Sequence, residues 1–361
     1  MKIGIVTFHR ADNFGAMLQA VALRQKLSDL GHEVFFVDYW PDDHKAFYNP
    51  RRIINSLFKH PISFAHEIVK KVCVYPIAVK RKKRFTDFAN KYILPYLATT
   101  AESLDAVIYG SDQIWARFSF LNGGKFDRFY FADNEIRSSR HISYAASMGS
   151  TKVDDDERRF LASVLKKFEK ISVREADMIP LVKETSGLQA ELVCDPTLLL
   201  PSAEWRKLLD VKNIINEPYA LFYEMQLGCF DRSAMRQFCK ERSLKLITIT
   251  AFLSLNTLVS DELGVVGPED FISLIANADF VFTSSFHGLA FSIIFERQFL
   301  CSYKGKGERA KTLLNAVGLE SRMLPVRARF KAGEIKNIDY TSIGSKMDNY
   351  RKSSLKFLQT I

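Results

Sequence analysis

Apolar and polar positions along the chain follow two alternating rhythms. "KIGIVTF" is a short unbroken apolar run, the pattern of a strand buried on both faces, and the polar "HRADNFG" after it reads as a loop. "AMLQAVALRQKLSDL" spaces its apolar residues as a helix does and ends at Gly31, where a helix closes. "HEVFFVDYW" returns to the strand rhythm. Strand, helix, strand in this order predicts parallel pairing with a right-handed crossover.

The alternation continues. "LDAVIYGSDQIW" predicts a strand and a loop, and "RHISYAASMGS" a buried strand ending in small residues. "DERRFLASVLKKFEKISVREADMIPLVKETSGLQAELVCDPTLLL" reads as helix, strand, helix, glycine break and strand, and "LLLPSAEWRKLLDVKNIINEP" as a connection. Then "YALFYEM", "LKLITIT", "DFVFTS" and "QFLCSY" are strands, with helices over "DRSAMRQFCKERS", "PEDFISLIANA" and "GLAFSIIFE" between them. "GSKMDNYRKSSLKFLQTI" closes as a helix. The pattern predicts an α/β chain of two doubly wound Rossmann-like domains facing a central cleft. The expected division is residues 1–205, with a basic helical insertion at about 51–91, residues 206–340, and a C-terminal helix at 341–361.

Composition narrows the class. A chain of 361 residues exceeds one ordinary core and fits two domains. Its 47% hydrophobic and 25% charged content suits a soluble globular protein, and no apolar run approaches the roughly 18 residues of a membrane span. "MKIGIVTFHRADNFG" has no small-residue cleavage site, so it is expected to be a first strand and not a signal peptide. The cysteines, Cys73, Cys194, Cys229, Cys239 and Cys301, are scattered and odd in number. That argues against a zinc site or disulfide framework and for reduced thiols in the cytoplasm. No cluster has metal-ligand spacing, so no metal is expected.

Charge is concentrated. The net charge is +10, and residues 51–91 hold 11 basic side chains against Glu67 and Asp87. "RRIINSLFKHPISFAHEIVKKVCVYPIAVKRKKRF" interleaves these with apolar residues. One reading lays the segment on the anionic inner face of a membrane, near a lipid-linked sugar, at about 1 kcal/mol for each basic residue. The other is a solvated helix face. No nucleic-acid reading motif accompanies it, so nucleic acid is not an expected partner.

Ligands of parallel sheets bind beyond the carboxyl ends of the strands. Five polar clusters fall there: His9, Asn13 and Gly15; Gly110, Ser111 and Asp112; Ser147 and Gly149; Arg174 and Glu175; and Ser284 to Gly288. In the last, Ser284 or Ser285 caps the following helix, whose N-terminus favours an anion, and His287 beside it can hold or pass a proton. The plainer readings stand beside these. His287 satisfies a local carbonyl, Arg174 pairs with Glu175 or Asp177, Asp112 caps the "QIW" turn, and Asp195-Pro196 is a turn before the connection. Asn13-Phe14-Gly15 is not the G-x-G-x-x-G fingerprint, so a dinucleotide is not indicated.

Six stretches resemble the polysaccharide pyruvyl transferase family: "IGIVTFHRADNFGAMLQAVAL", "VIYGSDQIW", "SYAASMG", "ISVREADMIPLV", "VCDPTLLL" and "GPEDFISLIANADFVFTSSFHGLAFSIIFERQF". They run in family order from residue 3 to about residue 300. The resemblance implies a fold similar to two-domain GT-B glycosyltransferases, with phosphoenolpyruvate as donor and no further cofactor. It implies that the enolpyruvyl carbons move onto two hydroxyls of one sugar in a polysaccharide precursor, giving a cyclic ketal and phosphate. By the resemblance His287 handles the proton near the leaving phosphate and Arg174 clamps the donor. The turn of Ser284, Ser285 and Gly288 offers N–H groups to the phosphate, and Asn13, Gly15 and Asp112 line the acceptor side. Many family members carry Arg two residues before the His; here that position is Ser285. The missing cation is then expected from Arg297, Lys304 or Arg309. Two other functions fit the same fold, a glycosyltransferase using a nucleotide sugar and a non-catalytic glycan-binding protein.

Overall fold

The computed structural model describes residues 1–51, 70–99, 102–119, 121–251, 253, 263–305 and 307–361. It divides into two compact units. The first comprises Met1–Phe47, Ala89–Leu200 and Ser345–Ile361, and the second Tyr48–Phe88 and Pro201–Gly344.

In the first unit the apolar runs become β1 (Lys2–Val6), β2 (Glu33–Val37), β3 (Leu97–Ala98), β4 (Ala106–Tyr109), β5 (His141–Ala146), β6 (Lys170–Val173) and β7 (Ala190–Leu192). They form one parallel sheet in the order β3-β2-β1-β4-β5-β6-β7. Ile3 registers with Val34, Ile5 with Ile108 and Ile108 with Ile142. These residues are almost completely buried, as expected of strands covered on both faces. The strand order reverses between β1 and β4, so the loops after those two strands flank the switch point where such sheets bind ligands. Helix Phe14–Asp29 follows β1, with Asn13 as N-cap and Gly31 just beyond its C-cap in the left-handed region.

The second unit repeats the plan with β8 (Tyr219–Glu224), β9 (Lys245–Thr250), β10 (Phe280–Thr283) and β11 (Gln298–Cys301). They pair in parallel in the order β9-β8-β10-β11, which places the switch point between β8 and β10. One face buries a cluster of Phe222, Phe230, Phe238, Phe280, Phe282 and Phe330. Rings of Phe238 and Phe280 lie 4.5 Å apart. Each such side chain contributes roughly 1.5–3 kcal/mol on burial.

Two boundaries differ from the sequence expectation. The basic insertion groups with the second unit and not the first, because Arg84 forks onto the Asp270 carboxylate (2.6 and 2.8 Å) and Arg81 Nη1 donates to Thr250 O (2.9 Å). The C-terminal helix, Thr341–Gln359, is no separate module. Cys194 N donates to Ser354 Oγ (2.8 Å) and Arg351 Nε to Leu198 O (2.8 Å), which ties it to the first unit. Residues 52–69 of the supposed membrane face lie outside the described residues. No helix among the described residues is long and apolar enough to cross a membrane.

His9 follows β1 and is sealed in, 1% exposed, with its ring stacked on Phe36 at 5.4 Å and its Nδ1 3.0 Å from Thr7 O. Burial pushes its pKa down to about 4, with Arg10 acting in the same direction. The unfolded chain binds this proton more readily, so the stability that a neutral His9 supplies is complete above about pH 6.5 and drains as pH falls toward 4. The loss is about 2–3 kcal/mol. Thermal melting of His9→Phe from pH 7 to 4 should show a shallower decline than the wild type.

Candidate active site

The carboxyl edge of the first sheet carries a network of buried polar groups. Thr7, just past β1, donates its hydroxyl to Ser111 O (3.0 Å) just past β4. Gln19, buried in the apolar helix after β1, bridges the two loops: its Nε2 donates to Thr7 Oγ1 (2.8 Å) and its Oε1 accepts from Ser111 N (3.2 Å). Ser111 Oγ donates to Asp195 Oδ2 (3.2 Å). The same carboxylate oxygen takes Arg174 Nη1 at 2.5 Å, while Thr197 N and Oγ1 satisfy Asp195 Oδ1 (3.0 and 2.8 Å). Strands β1, β4 and β6 and the segment after β7 thus converge on one buried ion pair.

Arg174 extends this network. Its Nη2 lies 3.7 Å from Asp112 Oδ1, with the Arg174 side chain 1% and that of Asp112 14% exposed. Burial disfavours the charged guanidinium, yet Asp195, Glu175 and Asp112 outweigh it and hold the Arg174 pKa above its ordinary value. Asp112 sits in the left-handed region at φ 71, strained for a residue with a side chain, and its Oδ1 accepts from Gln113 N (2.8 Å). Ser147 Oγ donates to Glu175 Oε1 (2.5 Å). Arg174 therefore pairs with Asp195, where sequence reasoning had named Glu175 or Asp177. That reasoning left Asp195 as a turn residue and passed over Thr7 and Gln19. The signal was present for Gln19, an amide inside an otherwise apolar helical stripe.

Of the residues expected to line an acceptor, Asn13 accepts from Ala16 N at 3.1 Å and caps its helix, and Gly15 is buried in the first turn. These two hold the helix start in place, and Asp112, like Asn13, is partly exposed.

The second unit carries the turn Ser284–Gly288 past β10. Ser285 is the helix N-cap, accepting from Gly288 N (3.4 Å), so His287 lies in the first turn of helix Phe286–Ile294. Ser284 has a different task, accepting from Met225 N (2.9 Å) and Gln226 N (2.8 Å) in the loop past β8. The N–H groups expected to greet phosphate are engaged within the protein. Ser284 N donates to Tyr223 O, Ser285 N to Thr283 Oγ1 and Gly288 N to Ser285 Oγ. Tyr303 OH donates to Ser285 O (3.0 Å). His287 is 6% exposed, with its ring edge-on to Phe286 at 5.3 Å.

Gly288 allows this close packing. A Cβ there would meet Thr283 Oγ1 at 2.2 Å, Thr283 Cβ at 3.0 Å and Tyr223 Cδ1 at 3.0 Å. Gly288→Ala should cost about 1–3 kcal/mol by overpacking, read as a fall in the urea midpoint at unchanged slope.

The three cations considered in place of the missing Arg separate. Arg297 precedes β11, at the opposite end of the strand, and donates Nε to Phe295 O (2.7 Å), so it is not at this edge. Arg309 lies over the Phe286 ring, 5.8 Å from its centroid. Lys304 follows β11 at the carboxyl edge, its backbone N donating to Gln226 Oε1 (2.8 Å). Arg81, which the sequence left on either a membrane face or a solvated helix face, lies near enough to Tyr223 to oppose the rise that burial imposes on that phenol. Among the described residues no group of three or more His, Cys, Asp or Glu could hold a metal.

Comparison with known proteins places these features. Folded neighbours include a putative UDP-N-acetylglucosamine 2-epimerase from Listeria monocytogenes (8% identity, TM-score 0.48), with 99% of this chain and 90% of that one covered. The UDP-GlcNAc 2-epimerase of Neisseria meningitidis bound to UDP-GlcNAc gives 12% and 0.43, with 99% and 94% covered. The E. coli heptosyltransferase WaaC with ADP-2-deoxy-2-fluoro heptose gives 11% and 0.40, with 97% and 99% covered. Likenesses this distant carry no inference about ligand or activity. No curated protein matches the sequence. A family match spans residues 13–303, including Asp112, Arg174, Asp195 and the His287 turn. The chain belongs to the polysaccharide pyruvyl transferase family and is a transferase.

Proposed function

We propose that the protein moves the enolpyruvyl group of phosphoenolpyruvate onto two hydroxyls of one sugar in a polysaccharide precursor, forming a pyruvate ketal. The family match over residues 13–303 is the observation that carries this reading. In the reaction the enol methylene gains a proton and becomes a methyl group, which makes the adjacent carbon electrophilic. One sugar hydroxyl attacks it, the C–O bond to phosphate breaks, and the second hydroxyl closes the ring. Of the two hydroxyl protons lost, the equivalent of one ends on the methyl carbon and the other on the released phosphate.

His287 is the proposed proton-handling group, since an imidazole can give and take protons near neutral pH and Ser285 fixes the helix turn it stands on. Arg174 is the proposed donor-side cation of the first unit, locked in one orientation by Asp195 so that no reorganisation accompanies binding. Asp112, the more accessible carboxylate beside it, is the proposed acceptor contact. Ser284, Ser285 and Gly288 shape the donor turn, and Asn13 and Gly15 the acceptor loop.

The test is phosphate release by the purified protein. It should require phosphoenolpyruvate and a glycan acceptor together, and the product should show a new ketal methyl signal. Thermal protection by UDP- or GDP-sugars with none by phosphoenolpyruvate would instead support a nucleotide-sugar glycosyltransferase. Glycan binding without turnover of any donor would support a non-catalytic binding protein.

A further inference from the structure

We propose that Lys304 and Arg327 form an anion-binding subsite at the carboxyl edge of the second sheet, taking the phosphoryl group of a small ligand. The subsite is centred on Gly228, in the loop after β8 and therefore at the switch point between β8 and β10. The direction in which a side chain would leave Gly228 ends 3.4 Å from Arg327 Nη2, 4.0 Å from Arg327 Nε and 3.7 Å from Lys304 Nζ. Two cations from separate loops thus close on one point, and Gly228 leaves that point clear of a side chain.

Among the described residues no carboxylate is paired with them, and the nearby Glu224 is already taken by Arg232 Nη2 (2.5 Å) and Gly228 N (3.2 Å). Like charges gathered this way repel, and an anion between them removes the cost. Both residues are exposed, so a ligand can reach them.

The arrangement is also held from below. Arg327 N donates to Cys229 O (2.7 Å) from a backbone at φ 57, a conformation that a residue with a side chain adopts only when its surroundings impose it. Lys304 N is fixed to Gln226, and Gln226 N to Ser284 Oγ, three residues before His287. One chain of hydrogen bonds therefore joins the cation pair to the His287 turn. The pair supplies the positive charge that Ser285 lacks, and Arg327 adds a fork suited to phosphate oxygens. That the phosphoryl group belongs to phosphoenolpyruvate rests on the proposed function; the anion site itself does not.

Isothermal titration of the full chain with inorganic phosphate, and separately with phosphoenolpyruvate, tests the assignment in low salt. Lys304→Gln and Arg327→Gln should each weaken binding about tenfold and the double variant about a hundredfold, with unchanged thermal melting. Lys240→Gln, another cation of the same unit, should change nothing. Double-variant affinity for both anions within about twofold of wild type, or no wild-type binding of either at about 10 mM, would overturn the subsite. Phosphate affinity lost in the double variant, in a protein that never turns over phosphoenolpyruvate, would keep the subsite and remove the pyruvyl reading. Unchanged anion binding with normal wild-type turnover would do the reverse.

Discussion

Arg174→Ala should destabilise the first unit by about 3–5 kcal/mol, the usual result of leaving a buried charge without its partner. The Asp195 side chain is fully buried and pairs with the equally buried Arg174 guanidinium. Removing the guanidinium takes the charged donor from the carboxylate oxygen that Ser111 also serves, while the other oxygen keeps Thr197. Arg174→Lys should lose less, because an ammonium restores charge but not the fork. The double variant Arg174→Met, Asp195→Leu should recover much of the loss, since replacing both members of a buried pair by apolar groups is often near neutral. Chemical denaturation of the three variants measures this. A melting point for Arg174→Ala within a degree of wild type would mean that the pair carries no such weight. Activity should vanish in the apolar double variant even where stability returns, which separates the structural and functional roles of the arginine.

His287→Ala should lower kcat by about 10²–10⁴, the range attributed to a positioned general acid or base. The expected signature is a fall in kcat with little change in the affinity for phosphoenolpyruvate, because the proposed phosphate contacts lie at Lys304 and Arg327 and not at the imidazole. His287→Gln should be equally slow although it keeps a polar group of similar reach, since an amide does not titrate. A rate near that of the wild type in either variant would remove His287 from the mechanism.

Much of this architecture was legible in the chain because buried parallel strands write themselves as unbroken apolar runs. "KIGIVTF", "DAVIY" and "DFVFT" each end at the residue where polarity begins, and that boundary locates the carboxyl edge. A serine cap at Ser284 or Ser285 followed from their place before an apolar helical stripe, and the structure gives the task to Ser285. The partnership of Arg174 with Asp195 did not follow, because the two residues are 21 positions apart and joined only by the order in which β6 and β7 pair. The contact of Arg81 with Thr250 was hidden for a related reason. Within a run of basic residues nothing local distinguishes an arginine that reaches a strand-end carbonyl from one that faces solvent. Arg327 carries no signal at all, since its role depends on a turn that folds back to Cys229.

The path of the chain between its units has a consequence for how the molecule is made. Residues 48–88 and 201–344 complete the second unit, whereas the first still awaits residues 345–361. Emerging from the ribosome, the first unit has all seven of its strands by Leu192 yet is the last to be finished, because Cys194 N meets its Ser354 acceptor only after the other unit's chain is entirely synthesised.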